Sequence, residues 1–347
     1  MKNTRNISLD IIRIIAILFV AMIHVSAFFV INFDKSSIEF FTGNIFDSIS
    51  RIAVPLFLML SGALILNNDK NFELKNILKK ILNIFVLTII WSIIYSLLYD
   101  VILNIVKNRP INIKDIIISI GSGHYHMWYL YMIIGLYLVT PFLKQIIKEK
   151  NYNLIYLFIL LSIFFQFLIP IINEISLVCH PAKYIIKFID KFELGFFNGF
   201  ISYYLIGWLI TNKDIKNKYK NRLYIIGLIS LLIVIIRVQF TGNYKYLYNT
   251  RNILLFFYAI SMFLALYTKD TFNISEKAKN FISSLSKLTF GVYIIHPLIL
   301  DIILKVFVYK NFPVFYILIV HFLVILISFI ITYIMSKIPV IKKLVRF

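Results

Sequence analysis

Long apolar runs, separated by short polar segments, occupy almost the whole length of the chain. A run of about 20 apolar residues is long enough to cross ~30 Å of hydrocarbon as an α-helix. The pattern predicts an all-α integral membrane protein, a bundle of about ten transmembrane helices. The predicted spans cover residues 8–32, 45–67, 79–105, 125–146, 152–172, 196–212, 222–240, 251–268, 288–309 and 313–337. No soluble segment or internal repeat divides the pattern, so residues 1–347 are expected to form a single transmembrane domain.

The composition agrees with this assignment. Of the 347 residues, 60% are hydrophobic, and the mean hydropathy is +0.86, which a soluble protein of this length rarely reaches. The chain has one cysteine, Cys179, which has no partner for an intrachain disulfide and argues against a cysteine-ligated metal site. His124 and His126 share no helix face and have no carboxylate cluster beside them, so no metal site is predicted.

The net charge of +20 raises the question of an acidic partner. The lysines and arginines are concentrated in short loops at the ends of the predicted spans, and they do not form one basic face. We therefore expect the partner to be the lipid bilayer and not a nucleic acid. Alternate loops are richer in lysine and arginine, and the positive-inside rule then places both termini in the cytoplasm.

The first predicted span contains three ionisable residues, Asp10, Arg13 and His24, within "LDIIRIIAILFVAMIHVS". Such residues are costly inside a membrane and indicate a functional site by default. Arg13 and His24 are eleven residues apart, which places them within about 20° of each other on one helix face and ~16 Å apart along the axis. Asp10 precedes Arg13 by three residues and can pair with it. The alternative is that Arg13 reaches to the lipid headgroups and His24 is a structural histidine.

The second predicted span, "DSISRIAVPLFLMLSGALIL", also carries polar groups. Arg51 can form an ion pair with Asp47, four residues earlier. Pro55 leaves one backbone carbonyl without its helical donor, and Ser61-Gly62 permits close approach of another helix. A kinked packing helix is the alternative interpretation.

Further polar groups begin the fourth span and lie inside the ninth. His126 and Trp128 open the fourth span, where an interfacial anchor is the alternative for the tryptophan. His296 lies within the ninth span and is followed by Pro297. A buried histidine is costly unless it is paired or lines a wet cavity. The residues expected to line an internal cavity are Arg51, Ser61, His126, Trp128 and His296.

Five segments carry a resemblance to a known family. They are "LDIIRIIAILFVAMIHVS", "RIAVPLFLMLSGALIL", "HMWYLYMIIGLYLVTPFL", "YYLIGWLI" and "FGVYIIHPLIL", in this order across essentially the full chain. Together they resemble the membrane acyltransferase-3 family, multi-pass enzymes that acylate sugars of bacterial envelope polymers. The resemblance implies a multi-pass protein of the bacterial cytoplasmic (inner) membrane. It also implies transfer of an acyl group, usually acetyl, from cytoplasmic acyl-CoA to a hydroxyl of a lipid-linked or polymeric glycan. Acyl-CoA is then a substrate, and no permanently bound cofactor is implied.

The resemblance also assigns roles to individual residues. His24 would be the catalytic histidine, with Asp10 beside it in the catalytic set because it orients Arg13, and Arg13 would help to hold the donor. Lys75, Lys79 and Lys80 stand where family members often carry arginines, and they are expected to meet the phosphates of CoA. A neutral imidazole can take the proton of a sugar hydroxyl as it attacks a thioester. Direct transfer is the preferred mechanism, and an acyl-histidine intermediate remains open.

Two other classes of function fit a polar membrane bundle. A transporter or flippase for a glycan intermediate would use the same polar groups without chemistry, although the chain lacks the inverted repeat that many transporters show. A membrane sensor or scaffold would not need those groups for turnover. The sequence contains no Walker A, dinucleotide-binding, H-E-x-x-H or G-x-S-x-G motif, which argues against the corresponding enzyme classes.

Overall fold

The computed structural model describes residues 5–67, 74–149, 151–176, 180–191, 200–268 and 274–346. Cys179 lies outside the described residues. Within these ranges the regular structure is helical throughout, with no strand. The all-helical fold is therefore confirmed for the described residues.

The α-helices of the described part of the chain follow one another with short connections. They are α1 (Ile7–Asn32), α2 (Ile38–Ser50), α3 (Ala53–Ile65), α4 (Leu74–Ser96), α5 (Leu103–Val106), α6 (Ile113–Ser122), α7 (Trp128–Lys148), α8 (Tyr152–Ile163), α9 (Ile169–Ser176), α10 (His180–Asp190), α11 (Ile201–Asn212), α12 (Asn217–Thr241), α13 (Tyr244–Leu247), α14 (Ile253–Leu266), α15 (Glu276–Ser286), α16 (Thr289–Val306), α17 (Pro313–Lys337) and α18 (Lys342–Val345). Single π-helical turns, Leu97–Ile102 and Phe164–Leu168, continue α4 and α8.

Eight helical stretches in the described ranges are long and apolar enough to cross a membrane. They are Ile7–Asn32, Ile38–Ile65, Leu74–Val106, Ile113–Lys148, Tyr152–Ile172, Asn217–Thr241, Thr289–Val306 and Pro313–Lys337. The predicted sixth and eighth spans contain α11 and α14, which have 12 and 14 residues. Residues 196–199 of the sixth span lie outside the described residues. Both helices are shorter than the ~20 residues that a straight span needs. The total of ten spans and the cytoplasmic position of the termini stay predictions.

Two of the eight stretches are interrupted, and both interruptions position polar side chains. Between α2 and α3 the helix breaks at 51–52, one turn before Pro55, whose missing N–H leaves the Arg51 carbonyl without a helical donor. Between α6 and α7 the break is at Gly123, which has a φ of +73°, a conformation that glycine adopts without strain. A 3₁₀ turn, Tyr125–Met127, then leads into α7. The chain therefore changes direction at Arg51 and again at His124 and His126, just before Trp128.

The helices pack around α1, which contacts α2, α3, α15, α16 and α17. The backbones of α3 and α11 approach each other closely. A Cβ atom on Gly62 would lie 1.8 Å from the carbonyl oxygen of Tyr204, and one on Gly207 would lie 2.0 Å from that of Met59. Only glycine allows this contact, so the close approach predicted at Ser61-Gly62 is confirmed.

Candidate functional site

A cavity of about 430 Å³ opens between α1, α3, α4, α7 and α16. This volume lies within the range of small-molecule sites. The lining residues are Arg5, Arg13, Phe57, Leu60, Ser61, Leu64, Ile65, Ile84, Tyr129, Leu130, Ile133, Tyr137, Ser286, Lys287, Thr289, Phe290, Tyr293 and Arg346. The polar charged residues lie near the ends of helices, while the middle of the wall is apolar. We call this space the cationic cavity.

Four cationic side chains line the solvent-exposed end of the cationic cavity. They are Arg5, Arg13, Lys287 and Arg346, and all of them except Arg13 are exposed. They come from both ends of the chain and from the connection between α15 and α16. Four positive charges around one opening favour an anionic ligand, and arginine can bind a phosphate or carboxylate through two parallel hydrogen bonds.

Asp10 holds the cationic end together. Its side chain is buried, and its carboxylate accepts from Nε and Nη2 of Arg5 at 2.5 and 2.7 Å. The Ser286 hydroxyl donates to the same carboxylate at 2.7 Å. Arg13 reaches Asp10 at 3.4 Å and donates to the Ser286 hydroxyl oxygen at 2.9 Å. The predicted Asp10–Arg13 pair is thus present, but Arg5 is the closer partner.

Tyrosine side chains form the inner end of the cationic cavity. The rings of Tyr129 and Tyr293 lie 5.9 Å apart, and Phe57 lies 5.9 Å from Tyr129. The hydroxyl of Tyr293 donates to the carbonyl oxygen of His126 at 2.5 Å. Tyr293 therefore separates the cavity from a group of histidines directly behind it.

That group, which we call the histidine cluster, consists of His24, His124, His126 and His296. The His24 ring lies 5.3 Å from that of His296, and His126 lies 5.7 Å from His296. The Nδ1 atoms of His124 and His126 are 3.0 Å apart, so one donates to the other. The histidines come from α1, from the turn between α6 and α7, and from α16, so the helix packing brings together residues far apart in sequence. Among the described residues, no group of three or more candidate ligands is placed to hold a metal ion.

Aromatic rings enclose the histidine cluster on its other sides. Tyr95 stacks on His124 at 4.2 Å between ring centres, and Tyr125 meets His24 edge to face at 5.2 Å. Tyr125 is 53% exposed, while His24 is partly exposed and His296 is fully buried. His24 and His124, whose ring lies 4.4 Å from that of Tyr125, are thus the two histidines between this exposed ring and the buried interior.

The hydrogen bonds of the cluster leave two buried nitrogens without partners. In the described part of the chain, Nε2 of His126 and Nε2 of His296 are buried and form no hydrogen bond. Nδ1 of His296, in contrast, lies 2.8 Å from the carbonyl oxygen of Tyr293. Nδ1 of His321 in α17 is likewise buried without a partner, so this feature alone does not mark a site. The grouping of four histidines next to Tyr293 is what makes the cluster a candidate reaction centre.

The structure brings some of the predicted site residues together and leaves others apart. Arg13 and Ser61 line the cationic cavity, and the Ser61 side chain lies close to the hydroxyls of Tyr129 and Tyr137. His24 belongs to the histidine cluster, as do His126 and His296. The three histidines do not themselves line the cationic cavity, although His126 and His296 were predicted to line a cavity. The predicted residues that belong neither to the cavity lining nor to the histidine cluster are Lys75, Lys79, Lys80, Arg51 and Trp128.

Arg51 and Trp128 have other surroundings. Nη2 of Arg51 donates to Asp47 at 2.7 Å, and the guanidinium lies 4.4 Å above the ring centre of Tyr248. This is the ion pair that the four-residue spacing predicted. Trp128 is 43% exposed and its ring lies 6.2 Å from that of Phe200, which fits an interfacial anchor.

Several residues of the site were missing from the sequence-based set. Arg5, Lys287 and Arg346 counted there only as charges that set the orientation, because each stands at a helix end with no motif around it. Tyr293 lies inside the quoted segment "FGVYIIHPLIL", three residues before His296. That spacing puts it on the same side of α16 and could have indicated its role.

Comparison with known proteins gives one match. The acyltransferase-3 family model, described as an acyltransferase domain, matches residues 6–333. No curated protein and no solved structure matches the chain. The matched range contains the histidine cluster and all of the cationic cavity except Arg5 and Arg346.

Proposed function

Because the chain belongs to the acyltransferase-3 family, we propose that it transfers an acyl group, most often acetyl, from acyl-CoA to a hydroxyl of a cell-envelope glycan. The proposal treats residues 1–347 as one transmembrane acyltransferase domain of the bacterial cytoplasmic membrane, with the cationic cavity open to the cytoplasm. One observation carries it. The cavity lined by Arg5, Arg13, Lys287 and Arg346 ends at Tyr293, which contacts the histidine cluster.

The cationic end of the cavity suits the phosphates of CoA. Phosphate groups form charge-assisted hydrogen bonds with arginine, and lysine meets them as a point charge. Arg5 is the nearer partner of Asp10, and Arg13 uses only its Nη1 atom for Asp10 and Ser286. The other N–H groups of Arg13 can therefore bind a ligand. Lys75, Lys79 and Lys80 on α4 lie outside the cavity lining, so we assign the phosphates to the four cavity cations.

The apolar middle of the cavity suits the pantetheine arm of the donor. Arg13 and His24 are separated by about 16 Å along α1, so the donor must extend inward for its thioester to reach the cluster. The wall between the two is made of Leu60, Ile133 and the tyrosines at the inner end. The thioester carbon would then lie next to Tyr293, on the side that faces the histidines.

His24 is the base in the proposed reaction. It takes the proton of the acceptor hydroxyl while the oxygen forms a bond to the thioester carbonyl carbon. The carbon–sulfur bond then breaks, and the CoA thiolate takes the proton from the His24 imidazolium. The products are the O-acyl sugar and CoA thiol. The acceptor approaches from the side of Tyr125, the exposed ring that contacts His24.

The experiment is a transfer assay in proteoliposomes. Purified protein receives acetyl-CoA labelled in the acetyl group, together with envelope glycans from a strain that lacks the gene, and the labelled glycan is identified by mass spectrometry. Transfer by the wild-type protein and its loss in His24→Ala are expected. His321→Ala, in α17, is the matched control and should keep full activity. Movement of glycan across the vesicle membrane without any acyl-CoA would instead indicate a transporter.

A further inference from the structure

The ring of His296 is held in one tautomer by the backbone of its own helix. Pro297 has no N–H, so the carbonyl oxygen of Tyr293, four residues earlier, has no helical donor. Nδ1 of His296 lies 2.8 Å from that oxygen and 3.1 Å from the carbonyl oxygen of Val292. A carbonyl oxygen can only accept, so Nδ1 carries the hydrogen. The other nitrogen, Nε2, is therefore a lone-pair acceptor.

This acceptor lies inside the protein without a partner. His296 is fully buried, and no described residue forms a hydrogen bond to its Nε2. Burying an unpaired acceptor lowers stability, so such a group in a native structure calls for an explanation. Because His296 is fully buried, a substrate does not reach it directly, and a role through a neighbouring side chain is the simplest one.

Of the two histidine rings beside His296, that of His24 is the nearer, with His126 at 5.7 Å. The ring centres of His24 and His296 are 5.3 Å apart and the ring planes are inclined by 31°. Since ring nitrogens lie at the edge of the ring, this separation puts an N–H···N hydrogen bond of ~3 Å within reach. No described residue forms a hydrogen bond to the His24 ring, and such bonds often tighten only when substrate is bound.

We propose that His296 is a positioning residue for His24: its Nε2 accepts the hydrogen of one His24 nitrogen. The other His24 nitrogen then stays unprotonated and turned toward the acceptor hydroxyl. This inference rests on the proposed role of His24 as the base. When His24 takes up the second proton, the same hydrogen bond stabilises the imidazolium, as the carboxylate does in a Ser-His-Asp triad. Inside a membrane, burying the neutral imidazole of His296 costs less free energy than burying a carboxylate in the same position.

Two substitutions separate positioning from packing. His296→Gln keeps an acceptor near the position of Nε2, and His296→Leu removes it. We expect His296→Leu to lower kcat by about 100-fold, less than the ~10⁴-fold loss that follows a change of the orienting carboxylate in a triad. The KM for acyl-CoA should stay within about twofold, and His296→Gln should recover most of the activity. His321→Leu, the same change in another membrane helix, is the matched control and should leave kcat unchanged.

Solid-state ¹⁵N NMR tests the hydrogen bond between His24 and His296 without an activity assay. The chain contains six histidines, so the labelled protein in lipid gives few signals. In the wild-type protein we expect His296 with its hydrogen on Nδ1 and a coupling across the hydrogen bond from His24 to Nε2. His24 should occupy one neutral tautomer, and in His296→Leu it should become a mixture of two.

These experiments test the role of His296 separately from the proposed function of the protein. Absence of acyl transfer in the wild-type protein would refute the proposed function, while the NMR result on His24 and His296 would still stand. A coupling of His296 Nε2 to His126 and not to His24 would overturn the inference. An unchanged His24 tautomer together with wild-type kcat in His296→Leu would overturn it as well. If that variant does not fold, the wild-type coupling and His296→Gln give the answer.

Discussion

The carboxylate of Asp10 accepts two hydrogen bonds from the Arg5 guanidinium, at 2.5 and 2.7 Å, while Arg13 approaches it only at 3.4 Å. Asp10 is 3% exposed, and the Ser286 hydroxyl fills a further position on its carboxylate. One buried acid thus fixes two arginines at the opening of the cationic cavity. Its removal should affect both the fold and the binding of the donor.

We expect Asp10→Asn to lower the free energy of unfolding by about 2 kcal/mol. This is below the ~3–5 kcal/mol of a fully buried pair, because both arginines retain contact with solvent. The KM for acyl-CoA should rise, since Arg5 and Arg13 lose their common anchor. Ser286→Ala, which removes one neutral donor, should cost about 1 kcal/mol. Thermal unfolding in detergent and the transfer assay measure the two effects, and equal losses for the two variants would contradict this account.

The cavity cations should dominate donor binding. We expect Arg13→Ala, Lys287→Ala and Arg346→Ala each to weaken acyl-CoA binding by about tenfold, since each removes a charge-assisted contact to phosphate. Lys75→Ala and Lys79→Ala, which change exposed lysines outside the cavity, serve as controls of the same charge change. Binding of a fluorescent CoA analogue gives the dissociation constants. A larger loss in the lysine variants of α4 would place the phosphates along that helix instead.

The contact between α3 and α11 should not tolerate a methyl group. A Cβ on Gly207 would lie 2.0 Å from the Met59 carbonyl oxygen, so Gly207→Ala must push the two backbones apart. We expect a loss of about 1–3 kcal/mol or more in the free energy of unfolding. Gly135→Ala is the matched control, because a Cβ there meets nothing within 4 Å and alanine favours the helix. The melting temperatures in detergent should therefore move in opposite directions.

The hydroxyl of Tyr293 should matter for turnover as well as for stability. Tyr293→Phe removes its hydrogen bond to the His126 carbonyl and keeps the ring. We expect a loss of about 1 kcal/mol together with a reduced kcat, because the turn that carries His126 is released from α16. Tyr316→Phe removes a comparable bond, to the Phe307 carbonyl at 2.6 Å, outside the site. It should show the loss of stability with unchanged kcat, and a normal kcat in Tyr293→Phe would separate the turn from catalysis.

Periodicity and residue chemistry predicted the part of this molecule that a single helix determines. The spacing of Arg13 and His24 fixes their common face, and the spacing of Asp47 and Arg51 fixes their ion pair, because both follow from helix geometry alone. The close approach at Gly62 was likewise predicted from the small side chains that permit it.

The rest depends on how helices meet, which the pattern along the chain does not contain. Lys287 and Arg346 join Arg5 only because α15 and α16 pack against α1, and α18 packs against α16 and α17. Lys75, Lys79 and Lys80 were expected to bind the donor because of a family position. They lie outside the cationic cavity, and their role in donor binding stays a prediction. The predicted eighth span, 251–268, extends two residues beyond each end of α14, because hydropathy alone locates helix ends only to within a few residues.

The docking of α18 has a practical consequence for labelling and purification. Val345 is fully buried, and the indole N–H of Trp91 donates to the Leu344 carbonyl at 2.9 Å. Arg346 directly follows and lines the cationic cavity. An affinity tag or fluorescent protein joined immediately after this residue would therefore emerge at the rim of the proposed donor entrance. A long flexible spacer would keep such a fusion from blocking this entrance.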